Sequence, residues 1–145
     1  MFGIFKNYTV QLCPEVLGRV TLHGKPIPQL EVQRCLIYPE PEDEIIDTVI
    51  TNDNGEFHFE PKSMKSRLPG NIFHEVAIAQ IIDLTYEEER YVLWSASQRQ
   101  IDTPPEIRDC LLSLNGDLSS PKEQYDFEKD EVSALSIGTI SICRW

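Results

Sequence analysis

The stretch Thr51–Phe59, TNDNGEFHF, restricts the possible folds of this chain more than any other. Asp53-Asn54-Gly55 tolerates the positive φ angles that tight reversals need. Ile45 to Ile50, just before it, is rich in β-branched residues. Just after it, Phe57 and Phe59 alternate with Glu56, His58 and Glu60, a period of two with one apolar face. The pattern predicts a β-hairpin reversing at 53–55.

Other strands are predicted around it. Tyr8–Cys13 reads as an edge or lead-in strand stopped by Pro14. Val16, Gly18, Val20 and Leu22 share one face of a second strand, closed by the turn Gly24-Lys25-Pro26-Ile27-Pro28. Leu30 to Tyr38 forms a third, in which Arg34 interrupts the phase of Leu30, Val32 and Leu36 and marks either a rim position or a bulge. Segments 74–82, 90–96 and 136–143 complete the set, and 62–70 shows no period. One helix is predicted from Pro104 to Leu114. Thr103 and Glu106 form its capping box, Ile107, Cys110, Leu111 and Leu114 its apolar stripe, and Asn115-Gly116 its end. Residues 117–133 read as charged and irregular. The expected fold is mainly β: an antiparallel seven-stranded β-sandwich with one short helix and an irregular C-terminal extension. It forms a single domain over 1–145, with a core at about 8–101 and the helix and extension at 102–145.

Charge narrows the range of partners. The net charge of −11 is uneven: residues 1–35 hold four basic and two acidic groups, while 36–145 hold nine and 22. Such a surface repels phosphate backbones and anionic lipid heads, which argues against nucleic acid and membranes. It steers a basic protein toward itself. No apolar run is long enough to span a bilayer, and the first residues do not form a secretory signal, so a cytoplasmic location is expected. Cys13, Cys35, Cys110 and Cys143 have long, irregular gaps and no C-x-x-C pair. They are expected to be buried thiols, not zinc ligands or disulfides.

Val16-Leu17-Gly18-Arg19-Val20, Gly24-Lys25-Pro26-Ile27-Pro28, Val32 and T-x-x-x-G-x-F-x-F at 51–59 together resemble the carboxypeptidase regulatory-like domains. These are seven-stranded sandwiches similar to transthyretin (prealbumin). The resemblance is close over residues 16–60 and loose over 74–95. It implies an accessory binding or packing unit. The longer pattern, with the opening Met1–Tyr8, Leu12–Val16 and the ending Ser141–Trp145, resembles a bacterial group of domains sometimes found beside type VI secretion genes. That implies an immunity or adaptor role. Isopeptide-forming relatives need a Lys early and an acceptor late, but Lys25 lies in a turn with no evident acceptor, so no such bond is expected.

Catalytic patterns fail one by one. His74-Glu75 would need a second His at position 78, which is Ile78. A calcium loop through Asn52 and Asn54 would put Ile50 at its first ligand position and Pro61 at its twelfth. There is no G-x-S-x-G elbow or phosphate-binding glycine loop, and His23 and His58 read as exposed. Neither enzyme activity nor a metal or cofactor is expected. What remains is two acidic clusters, Glu40/Glu42/Asp43/Glu44 and Asp83/Glu87/Glu88/Glu89. The partner-binding candidates are Glu42, Asp43, Glu44, Glu87, Glu88 and Glu89 for steering, with Tyr38, Tyr86 and Trp145 as aromatic anchors. The function expected is a non-enzymatic protein-binding domain, an immunity or adaptor protein of a secretion system. The alternative is a carbohydrate- or peptide-binding module, for which Tyr91 and Trp94 are the nearest aromatics.

Overall fold

Alternation of apolar and polar residues becomes alternation of buried and exposed ones through most of the computed structural model, which describes residues 8–38, 44–66, 78–98, 102–120, 123–127 and 137–143. Twelve strands and one short helix are present among these residues. The strands are β1 (Tyr8–Cys13), β2 (Val16–Leu22), β3 (Lys25–Pro26), β4 (Glu31–Ile37), β5 (Glu44–Ile50), β6 (Glu56–Phe59), β7 (Lys62–Ser66), β8 (Ile78–Tyr86) and β9 (Glu89–Gln98). After helix α1 (Pro105–Leu111) come β10 (Leu114–Asp117), β11 (Glu123–Phe127) and β12 (Ile137–Ser141). The protein is therefore mainly β, with several antiparallel sheets, none of them closed. The larger sheet runs β11-β12-β9-β8-β4-β5, and the smaller β10-β2-β3 with β6 also on β2. β1 and β7 form a separate ribbon. One core cluster draws on both larger sheets, with Val16, Val20, Phe57 and Phe59 from one and Val32, Leu36, Ile82 and Trp94 from the other.

The 53–55 reversal does not make the expected hairpin. β5 pairs with β4, and β6 pairs with β2. The turn instead carries the chain from one sheet to the other. Asn52 Oδ1 accepts from the backbone N–H groups of Asn54 and Glu56, each at 2.9 Å. Gly55 has φ +74, and a Cβ there would lie 2.4 Å from the Val20 carbonyl oxygen. Buried Thr51 ties the turn to the 27–30 segment, accepting from Leu30 N–H at 2.9 Å and donating to the Ile27 carbonyl at 2.7 Å.

The helix is shorter than its pattern suggested. Pro104 is its N-cap, with no side-chain capping bond. Thr103 Oγ1 is buried without a hydrogen bond, while its N–H is bound by Gln11 Oε1 at 3.1 Å. Ile107, Cys110 and Leu111 are buried as expected, but Leu114 belongs to β10. Asn115-Gly116 is strand, held parallel to β2, because pairing along Gly18–Thr21 outweighs the local stop signal. Lys62–Ser66 and Glu123–Phe127, read as irregular, are strands held by β1 and β12. In both cases the partner strand supplies order that local periodicity lacks.

Candidate functional site

Arg34 is neither at a rim nor in a bulge. It is 1% exposed in the core, and its guanidinium forks onto Asp47, Nε to Oδ1 at 3.0 Å and Nη2 to Oδ2 at 2.6 Å. Nη1 donates to the Glu60 carbonyl at 2.8 Å, and the group lies 4.8 Å from the centre of the Phe59 ring. A charge at this depth is tolerated only with such partners. Both residues break the apolar phase of neighbouring strands, and the β4–β5 register sets them opposite each other. That double break was a signal in the sequence for a buried pair. Nearby Cys13 is buried, and this pushes its thiol up to about 11 despite the opposing pull of Arg34. All four cysteines are thiols, with Cys35 only partly buried.

A second polar cluster joins β1 to the larger sheet. Gln80 Nε2 donates to the Leu12 carbonyl at 2.8 Å and to Gln98 Oε1 at 3.2 Å, and Trp94 Nε1 donates to Gln80 Oε1 at 3.1 Å. Trp94 is fully buried, so it cannot stack on a sugar. A third cluster surrounds Asp117, which accepts from Ser119 Oγ and N, the Gly24 and His23 N–H groups and Thr21 Oγ1. These bonds, led by that of the Ser119 hydroxyl, hold its carboxyl well below the usual carboxylate range against the opposing effect of burial. All three clusters use their hydrogen-bonding capacity inside the fold, and each reads as structural.

Among the described residues, the acidic candidates do not form one surface. Glu44 opens β5 opposite Ile37, which itself faces Ala79 on β8. Glu87 and Glu88 form the turn at the far end of β8, eight residues on, or about 26 Å along the strand at ~3.3 Å per residue. The second acidic cluster starts within β8, which is strand as far as Tyr86. Its tight turn sets Glu87 at φ 50 and Glu88 at φ 67, a reversal made without the Gly or Asn that would have marked it in the sequence. Asp83 is in the strand and pairs with Arg90 at 2.6 Å. Glu89 accepts from Tyr91 Oη at 2.9 Å. Tyr38 is corrected as an anchor: at 2% exposed it belongs to the core, its ring completing the buried phase of β4. Tyr86 is half-buried against that core. Glu42, Asp43, Trp145 and His74 lie outside the described residues.

Exposed apolar side chains gather elsewhere. Of the four large exposed hydrophobics among the described residues, Leu17 (41%), Ile46 (53%) and Ile50 (54%) sit on β2 and β5. Leu17 and Ile50 line a groove of about 550 Å³ with Gly18, Val49, Asn52, Glu56, Phe57 and His58. Among the described residues β5 is the last strand of the larger sheet. Its outward residues are Glu44, Ile46, Thr48 and Ile50, and Glu31 stands beside Ile50 on β4. An edge of this kind offers backbone hydrogen-bonding groups together with an apolar row and an acidic margin.

The family model described as Domain of unknown function (DUF6795) matches residues 16–121. The chain belongs to this family. The DUF6795 match takes in both walls of the groove, the Arg34–Asp47 pair and β10. No curated protein and no solved structure matches the chain. The residues of this DUF6795 chain therefore carry the functional argument themselves.

Proposed function

We propose that this protein is a non-enzymatic protein-binding domain that receives an extended, basic segment of a partner along the β5 edge and its groove. The observation that carries the reading is that exposed Leu17 of the smaller sheet and Ile50 of the larger line one groove with Glu56, while Ile46 and Glu44 share the outward side of β5 with Ile50 and Glu31 stands beside it. Backbone pairing at a sheet edge supplies affinity, and alternate side chains facing the groove supply specificity. The net charge of −11 raises the association rate of a basic partner. The two larger sheets, sharing one core, are taken as the layers of a sandwich of the carboxypeptidase regulatory-like type. An immunity or adaptor role at a bacterial secretion system fits within this reading, as does a cytoplasmic location.

The test is retention of partners from lysate in which neighbouring genes are co-expressed. Wild type and Glu88→Lys are expected to hold the same basic protein, while Ile46→Lys/Ile50→Lys loses it. Equal retention by the edge variant, or no stable partner at all, overturns the reading.

A further inference from the structure

We propose that Glu15, His58 and Glu60 form a binding site for a divalent first-row transition cation of the zinc type. The β2–β6 register builds it. Val16 faces Phe59 and Leu17 faces His58, so the next pair outward is Glu15 and Glu60. Phe57 and Phe59 are buried, which turns His58 and Glu60 to the solvent side along with Glu15 and Leu17. Two carboxylates opposite each other across antiparallel strands repel. Within 4 Å, His58 is the only basic side chain that either of them meets among the described residues, at 3.4 Å from Glu15 and 3.8 Å from Glu60.

One ligand atom from each residue lies within 4.8 Å of the other two. Ligand atoms on a tetrahedral zinc at about 2.1 Å are about 3.4 Å apart, so small side-chain rotations close the shell. The strands need not move, because the Glu60 carbonyl is already fixed by Arg34 at 2.8 Å. One imidazole and two carboxylates suit zinc and its neighbours in the first transition row. A bound cation would replace the carboxylate repulsion with attraction. Three protein ligands leave a fourth position for water or an incoming side chain, next to the groove that His58 also lines.

The test uses the untagged protein titrated with zinc chloride by calorimetry at about pH 7.5. One equivalent is expected to bind, with affinity falling about tenfold or more in His58→Gln and in Glu15→Gln/Glu60→Gln. Cys35→Ser, which removes the most accessible thiol, should bind as wild type does. These groups are exposed, so unchanged melting temperatures without metal will show that the variants fold. Undiminished binding by His58→Gln, loss of binding in Cys35→Ser, or no binding by wild type below millimolar zinc overturns the proposal.

Discussion

Arg34 and Asp47 differ in what each leaves behind when its partner is removed. Arg34 is 1% exposed, and Asp47 is 33% exposed. Asp47→Ala strands a cation in the core and is expected to cost about 3–5 kcal/mol. Arg34→Met leaves a carboxylate that water already reaches and fills the space with an apolar chain, so its cost is expected to be clearly smaller. Denaturant unfolding of the two variants checks the order, and equal losses would contradict it. The sequence showed Arg34 as an interruption of phase, but a one-strand view could not tell a rim position from a buried pair. Asp47 was the missing half, and reading consecutive strands together would have supplied it. Tyr38 is the reverse case: its place beside an acidic run suggested a surface role, while its parity along β4 already assigned it to the interior.

Among the elements, β2 is the most constrained, because it is flanked by β10 on one side and by β3 and β6 on the other. Gly18 makes this possible. A Cβ there would lie 2.3 Å from Phe57 Cζ and 2.4 Å from the Leu114 carbonyl oxygen. The second contact is with backbone and cannot be relieved by a rotamer change. Gly18→Ala is therefore expected to destabilise by about 1–3 kcal/mol through forced displacement of β10. The change should appear as faster amide exchange along 114–117 before any global loss. Protection equal to wild type would show that β10 does not depend on this close approach. Strand identity was largely legible in the sequence, since β2, β4 and β6 follow their alternation and β9 and β12 fall where strands were expected. Pairing was not. The turn at 53–55 is written clearly in the sequence, yet nothing local decides whether a reversal returns to its own sheet or crosses to another. The candidate groove was hidden for the same reason, because Leu17 and Ile50 meet only once β5 and β6 have gone to separate partners.

At the scale of the molecule, Asp117 joins the late part of the chain to the first hairpin. Its folded-state carboxyl ionises below its ordinary range, while in the unfolded chain an aspartate titrates near 3.9. The stabilisation is present in full above about pH 4 and is lost as pH falls through the folded value. Asp117→Asn is expected to cost about 1–2 kcal/mol at pH 7. The gap from wild type should close as the medium is acidified below about pH 4. Thermal melts of both proteins across that range check it, and a gap independent of pH would show that the carboxylate's charge is not what matters. The overall charge pattern was plain from composition, but its division between the two ends of a sheet was not, because strand length and turn position determine it.

The parallel seat of β10 on β2 also has a consequence for synthesis. Thr21 and its partner Asp117 are 96 positions apart. A ribosome must therefore deliver almost all of the intervening chain while one flank of β2 is bare, and the smaller sheet is completed only late in translation.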